Sequence, residues 1–122
     1  MKVFAVSVVL LLGMLLGIAG NYIYINEVSS SLNTRLDALP NVGEAGCTEG
    51  VRDLLSYWER HAPTVGLSVA FPIVDRVSEQ IAILLACAQC GDSYGFYTAR
   101  ALLQDAIGDL HRLEAFSVAN LL

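Results

Sequence analysis

The feature that most constrains the fold is a long apolar segment near the amino terminus, with no charged residue between Lys2 and Glu27. As an α-helix, residues 3–25 would extend roughly 35 Å, because each residue adds about 1.5 Å, and the hydrocarbon core of a bilayer is about 30 Å thick. We therefore predict a transmembrane anchor over residues 1–25 and an exported helical domain over residues 26–122.

The flanks of this segment indicate its orientation. Lys2 and the free amino group precede it, whereas the other flank offers Arg35 against Glu27 and Asp37. Positive charge is retained preferentially on the cytoplasmic side of a membrane. The imbalance therefore predicts a single-pass protein of the cell membrane, with its amino terminus in the cytoplasm and its remaining domain outside it.

A cleaved secretory signal is the alternative to a retained anchor. Residues 17–19 read Gly-Ile-Ala, with small side chains at the spacing that signal peptidase requires. The apolar run is, however, longer than the ~7–15 residues of a usual signal core. Helical spacing of apolar residues also continues beyond the candidate cut, at Ile25, Val28, Leu32, Leu36 and Leu39. We therefore expect one helix that leaves the membrane as a polar-sided stalk.

Two glycines within the apolar run, Gly13 and Gly17, form a G-x-x-x-G motif. Residues four apart share a helix face, and glycine there lets a second helix approach closely enough to drive dimerisation in a membrane. Glycine is also frequent in membrane helices in general. The pair is a candidate transmembrane dimer contact, with ordinary composition as the alternative.

The exported part has helical periodicity and lacks the sustained alternation that is typical of strands. Three sets of apolar residues recur at helical spacing: Val51, Leu54 and Trp58; Val74, Val77, Ile81, Leu84 and Ala88; and Phe96, Ala99, Leu103, Ala106, Leu110 and Leu113. Each set lies on one helix face, which must be buried against another helix. The predicted fold class is all-α, with a small antiparallel helical bundle after the transmembrane helix and its stalk.

Turn-forming residues separate the predicted helices. Residues 40–43 and 62–66 contain the prolines and glycines that interrupt the helical pattern. Pro72 suits the first turn of the next helix, where its missing N–H costs little. Gly91 fits the position just after a helix, and the Asp-Ser pair that follows can cap the last helix. Such a short turn makes the last two helices antiparallel neighbours.

Charge limits the partners of the chain. It has 12 acidic residues and 7 lysines and arginines, for a net charge of −5, and no basic stripe suited to nucleic acid. We expect no nucleic-acid partner and no cofactor. The expected partners are the lipid bilayer, through the N-terminal helix, and either another membrane protein or a second copy of the chain.

Three cysteines, Cys47, Cys87 and Cys90, are candidate disulfide or thiol residues. The spacing of the last two matches a thioredoxin-type motif, but that motif lies at a helix N-terminus, where the dipole lowers the thiol pKa. Here the pair falls near a predicted helix C-terminus, which disfavours a thiolate. An oxidising compartment would preserve a disulfide, and Cys47, expected in a flexible loop over residues 43–50, could reach either cysteine or another chain. Packed or free thiols, a structural disulfide and a redox or metal site are the three alternatives.

The remaining polar candidates form no catalytic signature. His61 and His111 have no nucleophile beside them in a known motif, and His111 is expected to face solvent. Asp105 and Asp109 share a helix face, for which a solvated acidic surface is the simpler explanation. Trp58 occupies a core position. We therefore expect no enzymatic activity and no metal site.

The carboxyl-terminal residues 110–122 end a leucine-rich helix in a short apolar tail, Asn120-Leu121-Leu122. With the anchor, Trp58 and the paired helices that follow it, the chain resembles an uncharacterised family of small membrane-anchored proteins of Gram-positive, often spore-forming bacteria. The family is known as domain of unknown function 4363. The resemblance implies the same anchored helical architecture and no assigned activity. The histidine that the family tends to carry near its third helix is replaced here by Ala-Phe-Pro at residues 70–72.

These observations favour a membrane-anchored extracytoplasmic module that binds or scaffolds another protein. The alternative is a thiol-based redox or metal-responsive exported protein that uses Cys87 and Cys90. The predicted helix position and the small number of further ligands disfavour that alternative.

Overall fold

Four α-helices make up the computed structural model, which describes the backbone of residues 1–67, 69 and 71–121, and their side chains as far as Arg112. Its helices are α1 (Lys2–Asp37), α2 (Cys47–Val65), α3 (Phe71–Cys90) and α4 (Ser93–Leu121). The described residues include no strand. The predicted all-α class is confirmed, with a long apolar N-terminal helix followed by a packed helical bundle.

Helix α1 changes character along its length without a break. Residues 2–17 are exposed on every side, and the helix is long and apolar enough to cross a membrane, a property that it shares with signal sequences. Beyond them, the apolar face of α1 is buried at Ile25, Val28, Leu32 and Leu36. The expected stalk is therefore the first helix of the bundle, because its apolar stripe has to be covered.

The bundle is a ring in which each helix packs against its two neighbours. The contacts follow the order α1–α2–α3–α4, and α4 closes the ring against α1. The predicted apolar stripes meet in the centre, where Leu54, Trp58, Ile81, Leu84, Phe96 and Leu103 are almost inaccessible to solvent. Ala88 is only partly buried, and Leu113 lies outside the described side chains. Helical spacing therefore located the core correctly.

Trp58 is a packed core residue whose polar atom is satisfied. Its side chain is 1% exposed, and its Nε1 donates to Oγ of Ser78 on α3 at 2.7 Å. The Ser78 hydroxyl donates in turn to the carbonyl of Val74 at 3.1 Å. Because a buried indole N–H needs an acceptor, this contact fixes α2 against α3.

The turn between α3 and α4 follows the prediction closely. Gly91 has a φ of 71°, a conformation that glycine adopts without strain. The amide of Asp92 donates to the Cys87 carbonyl at 3.0 Å, as in a Schellman motif. The Asp92 side chain then accepts from the Gly95 amide at 3.0 Å and caps α4.

Cys47 does not lie in a flexible loop, and that expectation is wrong. Gly46, with a φ of 88°, turns the chain directly into α2, whose first residue is Cys47. The Cys47 side chain is 3% exposed because it joins the hydrophobic core. A buried position in a helix leaves this thiol without the reach that a loop would give it.

Candidate functional site

A polar groove lies along the contact between α1 and α4, with a volume of about 360 Å³. We call it the α1–α4 groove. It is lined by Asn26, Ser29, Ser30, Asn33, Thr34 and Asp37 of α1 and by Ile107, Gly108 and His111 of α4. Small-molecule pockets are mostly apolar. Seven of the nine residues that line this groove have polar side chains, so it offers hydrogen bonds to the surface of another molecule.

The α1 wall of the groove is a polar stripe beside the buried apolar stripe. Asn26, Ser30, Asn33 and Asp37 follow one another at intervals of three or four residues, so they share one face of α1. We missed this stripe at the sequence level, because a polar face of a helix is usually a solvated one. The sequence feature that could have revealed it is the concentration of serine and asparagine within a single helix, because both are weak helix formers.

Ser29 is the unusual member of this wall. It is 4% exposed, and its Oγ has no hydrogen-bond partner among the described residues. The neighbouring Thr34 hydroxyl, by contrast, donates to the Ser30 carbonyl at 2.9 Å. A buried hydroxyl without a partner costs about 1–3 kcal/mol. Ser29 is therefore a residue of the wall whose hydroxyl the described part of the chain leaves unsatisfied.

The α4 wall leaves room for another molecule. Gly108 has open space on its groove side, since a Cβ placed there would have Nη2 of Arg112 as its nearest contact, at 3.9 Å.

The two ends of the groove differ chemically. Asp37 lies 3.9 Å from Nη2 of Arg100 at one end, and the His111 ring lies 6.4 Å from the Tyr22 ring at the other.

The three cysteines are free thiols in this structure. Cys87 and Cys90 lie in the last turn of α3, as predicted from the Gly91 signal. Burial raises the pKa of the Cys87 thiol, and Asp92 and Cys90 raise it further. A higher pKa leaves less thiolate at neutral pH, and thiolate is the reactive form. These observations favour packed or free thiols over a redox motif.

Cys47 shows that helix position alone does not determine thiol chemistry. The first residue of a helix lies at the positive end of the dipole, which favours a thiolate. Burial nevertheless raises the pKa of Cys47, and the nearby Glu44 carboxylate raises it further. Burial is therefore the largest cause of the raised pKa of Cys47.

Gly13 and Gly17 lie on the exposed half of α1. Neither has a described atom, apart from its own helix backbone, within 4 Å of the position that a Cβ would occupy. No described residue of the chain therefore covers the motif, and a second helix could approach this face.

Asp105 and Asp109 lie on one face of α4, as their spacing predicts, and both carboxylates are paired with an arginine. Arg76 of α3 reaches across the helix contact, with Nη2 2.9 Å from Asp105 and Nη1 2.9 Å from Asp109. Arg112 also pairs with Asp109 within α4, as expected from their spacing. Among the described residues, no group of three or more His, Cys, Asp or Glu side chains could hold a metal ion.

Comparison with protein-family models, with curated proteins and with solved structures finds no match. The resemblance to domain of unknown function 4363 stays a hypothesis. The tail residues 113–122, on which it partly depends, lie outside the described side chains.

Proposed function

We propose that the protein is a membrane-anchored, extracytoplasmic binding or scaffolding module rather than an enzyme. In this proposal α1 spans the cell membrane once with its amino terminus in the cytoplasm, and the bundle presents the α1–α4 groove to another membrane protein or to a second copy of the chain. The supporting observation is the polar groove itself, whose α1 wall contains a buried Ser29 hydroxyl that no described residue satisfies.

The continuity of α1 supports a retained anchor. The helix runs from Lys2 to Asp37 without interruption through residues 17–19, where a signal peptidase would have to cut. The same helix supplies both the membrane segment and the α1 wall of the groove. A partner held in the groove would therefore be fixed close to the membrane surface.

A reporter fused after Leu122 tests the topology. We expect activity from a reporter that works only outside the cytoplasm, and an intact mass that includes Met1. A mature chain beginning near residue 20 would contradict the anchor, and activity from a cytoplasm-only reporter would contradict the orientation.

Gly108→Leu tests the groove itself. The larger side chain should enter the groove without displacing the core, because a Cβ at this position meets only the end of a flexible arginine. Ala82→Leu, on the exposed surface of α3, is the matched control. Both variants should keep the helical signal and thermal midpoint of the native protein.

The readout is photo-cross-linking in cells from a photo-reactive residue in place of Asn33, which lines the groove. We expect one dominant adduct that Gly108→Leu abolishes and Ala82→Leu retains. Twice the chain mass identifies a second copy, and any other mass identifies a different partner. An adduct that is equally strong in both variants would show that the groove is not the binding site.

A further inference from the structure

Contacts between helices show which end of the bundle faces the membrane segment. Tyr24 of α1 is hydrogen-bonded to His61 of α2, with Oη and Nδ1 2.8 Å apart. The ring of Tyr22 lies 6.4 Å from that of His111 on α4. Both tyrosines lie at the C-terminal end of the apolar segment of α1. The end of α2 and residue 111 of α4 are therefore level with the place where α1 leaves the apolar segment.

The turn between α2 and α3 lies further toward that apolar segment. Val65 is four residues beyond His61 in an antiparallel helix, so it lies about 6 Å further along, near the level of Gly20 in α1. Trp58 of α2 is hydrogen-bonded to Ser78 of α3. Phe71, seven residues before Ser78, is therefore level with Val65, seven residues after Trp58, and Leu67 lies between them in the chain. The turn therefore reaches the part of α1 that the bilayer would cover.

Large apolar side chains are exposed at this turn. Leu67 is 87% exposed and Phe71 is 75% exposed, although Val65 and Val69 of the same turn are buried. Residues 62–74 include no charged side chain. Exposed apolar residues that cluster at one end of a bundle mark a contact with a membrane or another molecule.

We propose that the turn between α2 and α3 is a second membrane contact, in which Leu67 and Phe71 insert into the boundary between headgroups and acyl chains. Because this contact requires α1 to span the same bilayer, it rests on the proposed membrane anchoring. We take the bilayer as the partner of these side chains because, in the proposed topology, its apolar region surrounds α1 at the same height. No lysine or arginine lies in residues 62–74, so insertion depends on apolar contact and is independent of anionic lipid. The two contacts together hold the bundle at a fixed tilt, with the α1–α4 groove at a fixed height.

Tryptophan fluorescence tests this contact in the full chain, reconstituted into phosphatidylcholine vesicles that contain lipids brominated on the acyl chain. Phe71→Trp places a reporter at an exposed position, so the fold should tolerate it. Native Trp58 is 1% exposed and supplies the background signal in a parallel measurement. We expect the emission added by Phe71→Trp to fall about twofold with bromine near the headgroups, as for a side chain within ~5–10 Å of that boundary.

Two control variants separate this inference from the anchoring on which it rests. Leu12→Trp lies in the middle of the apolar run and should be quenched by deeply placed bromine. Tyr94→Trp replaces a residue that is 85% exposed at the opposite end of the bundle, and it should respond to aqueous acrylamide and not to bromine.

Quenching of Leu12→Trp without quenching of Phe71→Trp would overturn the second contact and leave the anchor standing. If bromine quenches neither variant, the anchor is overturned, and the second contact is overturned with it. A Phe71→Trp signal shielded from both bromine and acrylamide would mean that protein covers the turn, which also overturns the inference. Quenching that appears only after phosphatidylserine is added would overturn insertion by apolar contact.

Discussion

Tyr24 Oη lies 2.8 Å from Nδ1 of His61, so α1 is hydrogen-bonded to α2 at the end of its apolar segment. The His61 ring also packs on Tyr57, with ring centroids 4.5 Å apart, and the guanidinium carbon of Arg35 lies 4.4 Å from the Tyr57 centroid. This cluster holds α2 against α1 at the end of the apolar segment. His61 itself is partly buried near the C-terminal end of α2.

Loss of that hydrogen bond should weaken the bundle. We expect Tyr24→Phe to lower the free energy of unfolding by about 1 kcal/mol, because the ring nitrogen of His61 loses its partner in a partly buried site. Tyr94→Phe removes a hydroxyl from an 85% exposed side chain and should change stability by less than about 0.5 kcal/mol. Thermal unfolding of the full chain in detergent micelles, followed by circular dichroism, measures both. Equal losses in the two variants would contradict the role of this contact.

Neighbouring leucines on α4 give a sharp test of the core. Leu103 is fully buried, whereas Leu102 is 46% exposed. Leu103→Asp places a charge in the core without a partner and should cost several kcal/mol, about 3 or more. Leu102→Asp should cost less than about 1 kcal/mol because its carboxylate stays hydrated. Urea titrations followed by circular dichroism would compare the two, and a similar loss from each would mean that α4 faces the other way.

Periodicity explains why the core could be predicted and the pairing of Asp105 could not. Leu103 and Ile81 lie in stripes with helical spacing, and such a stripe has to be buried whichever helix covers it. The partner of Asp105 is Arg76, which is 29 residues away on another helix. Their meeting depends on the register between α3 and α4, which periodicity within a single helix does not contain.

The α1–α4 groove was missed for a related reason. Its α1 residues are polar, and each one alone is typical of a solvated helix face. The groove exists because α4 packs beside these residues, and Ser29 is a buried residue of its wall. Gly108 contributes by leaving space, which no sequence motif records. A site formed between two helices therefore needs the arrangement of both helices to be known.

The Arg76 ion pairs should make a small contribution that depends on salt. Arg76 is 39% exposed and Asp105 is 64% exposed, so solvent screens their attraction. We expect Arg76→Gln to lower the free energy of unfolding by about 0.5–1 kcal/mol at low salt. The loss should shrink toward zero at about 1 M salt, where the screening length is only about 3 Å. Arg60→Gln, on the exposed face of α2, is the control, and a loss in Arg76→Gln that does not vary with salt would argue against an electrostatic origin.

Cys47 predicts a loss of stability at alkaline pH. Burial and Glu44 raise the pKa of its thiol in the folded chain. Below the ordinary thiol pKa of about 8.5, both the folded and the unfolded chain keep the proton. The buried thiol then makes its full contribution to the free energy of unfolding. As the pH rises beyond that value, the unfolded chain releases the proton first, and stability is lost up to the folded-state pKa. Thermal midpoints between about pH 7 and pH 10 should fall more steeply for the native protein than for Cys47→Ala, and parallel curves would exclude this thiol as the cause.

The glycine face of α1 predicts self-association within the membrane. Gly13 and Gly17 are uncovered by the described part of the chain, so a second α1 can approach them closely. We expect Gly13→Ile and Gly17→Ile each to weaken dimerisation about tenfold or more, a change of about 1.4 kcal/mol, because a branched side chain keeps the two backbones apart. Ala19→Ile adds comparable bulk to the opposite face of the helix and should leave dimerisation unchanged. Energy transfer between labelled copies, measured in vesicles over a range of protein-to-lipid ratios, gives the dissociation constants. A native protein that stays monomeric at every ratio, or a dimer indifferent to both glycine substitutions, would show that these glycines are not a contact.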